Sequence, residues 1–195
     1  MNILNIHLDL LIALSVISIF VFILERRQEK NPFQKLTLEL NASMVNIPSF
    51  FQRWYSFEAN FKGVHYQFKY SFYKDKMNSS YKPPVLIITI FYPLSVDFSI
   101  RHLHLPDEVI GGNPEFDKKY FIYAHQKEMA KSYLNNALTQ WRIDELFNRF
   151  NIEEISFSTK GISAKFVNCS LLEISSEFVT NVVSGLASLV GINLL

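Results

Sequence analysis

The residues most suited to metal chemistry are His102 and His104, which are separated by a single residue. Alternate side chains of an extended segment point to the same side, so both imidazoles would lie on one face and could bind a metal ion. Asp97, Asp107 or Glu108 is close enough in sequence to add a third ligand. A strand that leaves the core for solvent is the simpler interpretation, because a zinc site needs three or four protein ligands.

Other residues with chemical potential give weaker signals. Glu115 and Asp117 flank a phenylalanine and could form an acid–base pair, although a bond from Asp117 to nearby backbone amides explains the pattern as well. Cys169 is the only cysteine, which excludes an internal disulfide and a Cys-based zinc site. The sequence contains no nucleophile elbow, phosphate-binding glycine loop or H-E-x-x-H motif. We therefore predict no cofactor and no enzyme activity.

The charge balance argues against nucleic-acid partners. Lys and Arg total 19 and Asp and Glu total 18, which leaves a formal net charge of +1. Phosphate binding requires a clustered positive excess. Residues 62–82 are rich in Lys, Tyr and Phe, and could stack on bases or lie against anionic lipid. A solvated strand face followed by a lysine-bearing loop is the simpler interpretation, so no nucleic-acid partner is predicted.

An apolar run near the N-terminus predicts a membrane anchor. Residues 10–24 read LLIALSVISIFVFIL, and extension back to residue 3 supplies enough helix for a hydrocarbon core roughly 30 Å thick. A run that is apolar on every face disfavours a buried core helix, and residues 1–9 lack the basic residues of a cleaved signal peptide. The side chains expected to contact lipid are Leu10, Leu11, Ile12, Leu14, Val16, Ile17, Ile19, Phe20, Val21, Phe22, Ile23 and Leu24.

The basic residues next to this run predict its orientation. Arg26, Arg27 and Lys30 follow the run and no basic residue precedes it. Positive residues stay on the cytoplasmic side, which predicts a single-pass protein with a cytoplasmic C-terminal domain. The expected organisation is a transmembrane anchor over 1–25, a juxtamembrane linker over 26–35 and an α+β globular domain over 36–195. The expected partners are the bilayer, through residues 3–24, and another membrane protein or a second copy.

Alternating apolar residues over 54–73 predict a β-hairpin with a two-residue turn at Lys62-Gly63. This register pairs residues whose numbers sum to 125, so that Phe57 faces Phe68 and every apolar side chain meets another. A second hairpin is predicted around Lys160-Gly161, with paired numbers that sum to 321.

Further strands are predicted over 85–92, 96–101 and 120–124. Residues 85–92 read VLIITIFY and are apolar on both faces, which predicts a central strand covered on both sides. Residues 36–40 fit either a strand or a helix, and residues 42–51 are ambiguous because Pro48 interrupts any helix.

Helical spacing predicts a pair of helices over 129–150, with a break at Asn135 and with Asn136 as the N-cap of the second helix. Residues 178–195 carry no charge, and they fit an amphipathic helix over the sheet, a helix on the membrane surface or a second span. The predicted fold class is α+β, in which an N-terminal transmembrane helix precedes an antiparallel-rich sheet domain with packing helices.

Residues 112–124 read GNPEFDKKYFIYA, and the helical pair and second hairpin follow. This arrangement resembles uncharacterised bacterial membrane-anchored proteins, in which a Phe-Asp motif and a strand precede a helical pair and a closing hairpin. The resemblance implies a membrane-tethered α+β domain of a bacterial protein with no assigned catalytic residue. The positions that carry it are Phe116, Asp117, Phe121, Tyr123, Leu134, Leu138 and Leu146.

Together these patterns predict a single-pass, membrane-anchored and non-enzymatic interaction or structural domain. The alternative is a small-ligand or lipid-binding domain that uses the aromatic sheet face around Tyr66, Phe68 and Tyr70. An apolar pocket of about 300 Å³ or more at that face would favour the alternative, whereas a closed core would favour the interaction domain.

Overall fold

The computed structural model describes residues 14–17, 32–47, 54–74, 81–102 and 113–194. The chain forms an antiparallel sheet of eight strands with helices packed against it, which confirms the predicted α+β class. The strands are β1 (Ser43–Asn46), β2 (Tyr55–Phe61), β3 (Val64–Lys74), β4 (Tyr81–Ile90), β5 (Phe98–His102), β6 (Tyr120–Ala124), β7 (Glu154–Ser158) and β8 (Gly161–Val167). Their order across the sheet is β1-β2-β3-β4-β8-β7-β5-β6.

The predicted helical pair over 129–150 is confirmed, and the structure adds short helices that the sequence spacing did not predict. They are α1 (residues 32–39), α2 (Pro114–Asp117), α3 (Lys127–Leu134), α4 (Ala137–Phe150) and α5 (Ser176–Leu189), with a 3-10 turn over Leu171–Glu173. The predicted cap is confirmed, because the Asn136 side chain accepts a hydrogen bond of 2.9 Å from the Leu138 N–H at the start of α4. Residues 36–39, for which the sequence allowed two interpretations, are helical.

The first hairpin has the predicted register. Phe57 pairs with Phe68, and their rings stack with centroids 4.7 Å apart. Lys62 and Gly63 form the turn with φ angles of +49° and +88°. Two positive φ angles in succession are the backbone of a tight hairpin turn whose twist matches that of the strands.

The predicted register of the second hairpin was wrong. Ser158 pairs with Gly161, so the paired numbers sum to 319 and the turn lies at Thr159 and Lys160. The shift of two residues leaves the same side chains on the core face, because side chains alternate with period two. Gly161 lies in the strand, where a side chain would not fit, because a Cβ at this position would lie 1.9 Å from the carbonyl oxygen of Ile90 on β4. The glycine therefore permits a close approach between β8 and β4 rather than the turn.

The helices cover one face of the sheet. Phe33 of α1 packs against Phe57, Tyr133 of α3 against Phe157, Phe147 of α4 against Tyr120, and Phe178 of α5 against Phe166. The four strand residues in these pairs lie on the same side of the sheet and are buried. This side forms the hydrophobic core, and we call the opposite side the open face.

The prediction that β4 is covered on both sides was wrong. Leu86, Ile88 and Ile90 are fully buried on the core face, whereas the alternate residues of β4, including Ile87, are only half-buried on the open face. Lys69 and Lys165 are the cross-strand neighbours of Ile87. The aliphatic stems of long cationic side chains shield apolar neighbours while their charges stay in water, so an apolar residue here needs no helix above it.

The C-terminal helix α5 covers the core face of the sheet. Val179, Val182, Val183 and Leu186 of α5 are fully buried, so the amphipathic interpretation holds for this helix. Gly185 brings α5 against α4, because a Cβ at this position would lie 2.4 Å from Cδ2 of Leu146. No helix in the part of the chain that the structure describes is long and apolar enough to span a membrane.

The predicted anchor lies almost entirely outside the described residues. Within it, residues 14–17 form a helical turn, and Leu14, Val16 and Ile17 are 54%, 59% and 58% exposed. Phe33 is fully buried in the core of the globular domain, although it lies within the predicted linker, which extends to residue 35. The remaining anchor side chains, Leu10, Leu11, Ile12, Ile19, Phe20, Val21, Phe22, Ile23 and Leu24, and the basic residues Arg26, Arg27 and Lys30 lie outside the described ranges.

The close approach at Gly161 predicts a large effect of Gly161→Ala. We expect it to lower the free energy of unfolding by about 2–4 kcal/mol, because the new methyl group overlaps the β4 backbone. Gly63→Ala is the matched control: its φ of +88° is also unfavourable for alanine, but no atom lies within 4 Å of the new Cβ. We expect about 1–2 kcal/mol for the control, measured by urea unfolding in detergent micelles. Equal losses would contradict the close approach.

Candidate functional site

Only one histidine of the candidate metal-binding pair lies in the part of the chain that the structure describes. His102 ends β5, is exposed, and lies beside two core rings, with centroid distances of 5.3 Å to Tyr120 and 4.8 Å to Phe147. His104 lies outside the described residues. The described ranges contain no group of three or more His, Cys, Asp or Glu residues that could hold a metal ion. The position of His102 fits the simpler interpretation of a strand end that leaves the core.

Other residues singled out in the sequence are structural. The side chains of Tyr66, Phe68 and Tyr70 are at most 2% exposed, so the aromatic sheet face is core and offers no surface to a ligand. Burial raises the pKa of Tyr66 to about 12, which keeps its hydroxyl neutral. Glu115 is exposed whereas Asp117 is buried at the end of α2. Burial, with a contribution from Glu173, raises the pKa of the half-buried Cys169 thiol, which disfavours the reactive thiolate.

A carboxylate on α4 connects that helix to the sheet. Asp144 accepts hydrogen bonds from the Lys119 ammonium at 2.9 Å, the Tyr120 hydroxyl at 2.8 Å and the Asn148 amide at 3.1 Å. Burial opposes ionisation, but these donors together with the charge of Lys119 outweigh it and lower the pKa of Asp144. Burial and the bond to Asp144 raise the pKa of Tyr120. The cluster fixes α4 over β6.

No helix in the described ranges packs against the open face. A row of hydroxyl side chains crosses four neighbouring strands, because Thr89 pairs with Ser163, Ser163 with Ser156, and Ser156 with Ser99. Oγ1 of Thr89 lies 2.9 Å from Oγ of Ser163. Because these side chains are short, they project little from the centre of this face. Tyr123 of β6 lies at the end of the row.

A charged row runs beside the hydroxyl row. The guanidinium of Arg101 lies 2.8 Å from the carboxylate of Glu154, and the Lys165 ammonium lies 3.9 Å from the same carboxylate. The cross-strand register continues this row to Phe121 on β6. Both rows of the open face therefore end in an aromatic residue of β6.

The terminal strand β6 is an exposed edge with aromatic side chains. Phe121 and Tyr123 point to the open face and are 39% and 56% exposed. β6 reads YFIYA, without charge or proline, and pairs with β5 in an unbroken register. The opposite terminal strand, β1, has four residues and an irregular register. Irregularity, charge and proline are three of the features that prevent an edge strand from pairing with another chain, and the five residues of β6 include none of them.

A concave surface lies between α4 and α5 and has a volume of about 370 Å³. We call it the helix cleft. Arg142 and Arg149 of α4 face Asn181 and Ser184 of α5 across it. Arg142 already donates to the carbonyl oxygen of Ser188 near the end of α5, and the guanidinium carbon of Arg149 lies 5.0 Å from the Phe150 ring centroid. Its lining is mixed, because apolar side chains such as Trp141 and Leu146 lie beside the two arginines, which are engaged within the fold. A lipid-binding domain requires a mainly apolar pocket.

Sequence reasoning missed the open face and the helix cleft. The alternation in β5 and β7 places polar residues on one side, so each strand taken alone carried the signal for a solvated face. The alignment of four hydroxyl residues depends on pairing between strands distant in the chain, and no local pattern reports it.

Comparisons with known proteins add no relatives. No family model matches the sequence, no curated protein matches it, and no solved structure matches the fold. The resemblance of residues 112–166 to bacterial membrane-anchored proteins therefore stays an expectation.

The Asp144 cluster predicts a pH-dependent contribution to stability. We expect Asp144→Asn to lower the free energy of unfolding by about 1 kcal/mol at pH 7, because charge-assisted hydrogen bonds are lost at a partly exposed site. The folded chain has the lower pKa, so this contribution is complete above the ordinary value of 3.8 and is lost as the pH falls below it. Urea unfolding of both proteins at pH 7 and pH 3 measures the difference, and a difference that grows in acid would contradict the assignment.

Proposed function

We propose that this protein is a single-pass, membrane-anchored and non-enzymatic interaction domain with its folded C-terminal part in the cytoplasm. The observation that carries the interaction function is the uncovered face of the sheet, which ends in the aromatic edge strand β6. Its partner is another membrane protein or a second copy, since confinement to a membrane raises the effective concentration of both.

The N-terminal run supports the anchor. Its four described residues are helical, and the apolar side chains of that turn are more than half exposed instead of packed in the core. A helix apolar on every face that finds no place in a core is stable in lipid. The basic residues Arg26, Arg27 and Lys30 support the cytoplasmic orientation of the domain.

The open face supports binding to a protein. Exposed aromatic residues are enriched at protein interfaces, where they supply large contact areas at a small entropic cost. An edge strand with free main-chain groups binds an extended segment by β-augmentation, and side-chain contacts on the sheet face add specificity. Phe121 and Tyr123 provide such contacts beside the β6 edge.

The anchor predicts that the protein is an integral membrane protein. After lysis without detergent, we expect the full chain to sediment with membranes and to resist extraction by alkaline carbonate, because roughly 20 apolar residues are enough to span a bilayer. Replacement of both Val16 and Phe20 by Arg places two charges in the run, at a cost of about 2.5–3.5 kcal/mol each at the helix centre, and should release the protein. Release of the unchanged protein by carbonate would contradict the anchor.

The interaction surface predicts site-specific cross-linking at β6. A photoreactive p-benzoylphenylalanine in place of Tyr123 should cross-link the full chain in native membranes to a membrane protein or to a second copy, because this side chain lies beside the edge. Adding Phe121→Lys should reduce the adduct several-fold, since a charge on the edge opposes strand pairing. Met129 on α3 is 38% exposed and is the matched control position. Equal adducts from both positions, or no effect of Phe121→Lys, would contradict this surface.

A further inference from the structure

One end of the sheet is defined by α1. The register places Asn46, Tyr55, Val85 and Val167 at the same end of their strands. Phe33 of α1 packs closest to this end, with ring centroids 4.9 Å from Tyr55 and 5.7 Å from Phe57. We call it the α1 end of the sheet.

The 3-10 turn lies at the same end. It follows β8, where the Asn168 N–H donates to the carbonyl oxygen of Pro84 at 2.9 Å. The turn and α1 also line a shared concavity of about 260 Å³, to which Lys35 and Leu36 contribute from α1 and Leu171 and Leu172 from the turn. Side chains of α1 and of the 3-10 turn therefore belong to one continuous surface.

α1 and the 3-10 turn carry the most exposed apolar side chains of the described residues. Leu38 of α1 is 78% exposed and Leu172 of the 3-10 turn is 75% exposed, which are the two highest values among the exposed large apolar side chains of the described residues. Ile47, directly after β1, and Trp54, directly before β2, are 40% and 39% exposed. All four belong to segments that begin or end at the α1 end. Strongly exposed apolar side chains on neighbouring segments are a feature of surfaces that bind a membrane or another protein.

The segment that joins the apolar run to α1 indicates that the bilayer covers this surface. The apolar run ends at Leu24 and α1 begins at residue 32. A fully extended chain advances at most about 3.6 Å per residue, so the start of α1 lies within about 29 Å of the end of the run. Arg26, Arg27 and Lys30 lie in this interval and favour anionic headgroups. This link is short enough for the α1 end to lie at the bilayer surface.

We propose that the α1 end rests on the membrane surface, with Leu38, Ile47, Trp54 and Leu172 in contact with the boundary between headgroups and acyl chains. This inference rests on the proposed membrane anchor and adds an orientation for the domain. Tryptophan is suited to that boundary, because its ring is amphipathic. Lys35, which is 79% exposed beside Leu38, is close enough to reach phosphate groups, and its carboxylate neighbour Glu39 lies 3.8 Å from its ammonium.

In this orientation the sheet stands away from the bilayer and the open face remains accessible. Strands rise about 3.3 Å per residue, so the opposite end of β4, near Tyr92, lies more than 15 Å further from the membrane. The anchor and the α1 end together form a two-point attachment that restricts rotation of the domain. The aromatic edge β6 lies at the opposite end of the strand order from β1 and β2, and α1 packs against β2.

An environment-sensitive fluorophore tests the contact in the full chain. The nitrobenzoxadiazole label is attached to a single cysteine, Leu38→Cys or Leu172→Cys, in a Cys169→Ser background. The labelled proteins are reconstituted into vesicles of phosphatidylcholine with phosphatidylglycerol. We expect a blue-shifted emission at both positions and quenching by spin labels placed at a shallow depth in the lipid. Tyr92→Cys and Leu138→Cys, which replace side chains 39% and 50% exposed elsewhere on the domain, are the matched controls and should report water.

The outcomes separate this inference from the anchor on which it rests. Carbonate extraction of the same vesicles reports the anchor independently. Retained protein with an aqueous signal at positions 38 and 172 overturns the membrane contact and leaves the anchor standing, whereas extracted protein overturns both. A blue-shifted signal without quenching by lipid spin labels indicates cover by a protein or by a second copy, and also overturns the proposal. Equal quenching at the control positions would show no defined orientation and would overturn it too.

Discussion

Packing of α5 across the middle of the sheet is the contact on which the remainder of the fold depends. α5 contacts β3, β4 and β8, and β4 and β8 join the strands of the N-terminal half to those of the C-terminal half. The buried apolar face of α5 covers this junction, and removal of that area from water is the main favourable term in folding. Gly185 then admits Leu146 of α4, so the helix that covers the centre also fixes the helix beside it.

Helices on one side leave the other side of an eight-stranded sheet in contact with solvent. Antiparallel sheets tolerate this arrangement when the outer face is polar, and the hydroxyl row and the Arg101–Glu154–Lys165 cluster satisfy that requirement. The exposed aromatic residues at β6 depart from it, and the exposed leucines of α1 and the 3-10 turn are a second apolar feature of the surface. These two features support the proposed attachments of the domain to a partner and to the bilayer.

The sequence predicted features that depend on neighbours in the chain. The register of the β2–β3 hairpin follows from alternation and from the turn at Lys62 and Gly63, and both lie within one local segment. Asn136 caps α4 by a bond to a residue two positions away. In contrast, the pattern around Lys160 and Gly161 led to a register wrong by two residues, because that glycine serves contact with β4 and not the local turn.

Candidate sites were harder to predict because they depend on contacts between distant segments. His102 and His104 have the spacing of metal ligands, but a site needs a third group from elsewhere, and the structure places aromatic rings around His102. From the sequence, the aromatic stripe at Tyr66 fits a ligand-binding surface as well as a core face. In the structure, α1 and α5 pack against this strand. A sheet face has the same sequence pattern whether helices or ligands cover it.

The sequence by itself determined the class of fold, the strands and helices with strong periodicity, the first hairpin and the apolar run that predicts an anchor. Each of these is encoded by the spacing of apolar residues within a short segment. Tertiary structure alone decided the order of the strands, the face that the helices cover and the proximity of α1 to the 3-10 turn. Those features arise from pairing and packing of segments far apart in the chain, for which the local sequence carries no signal.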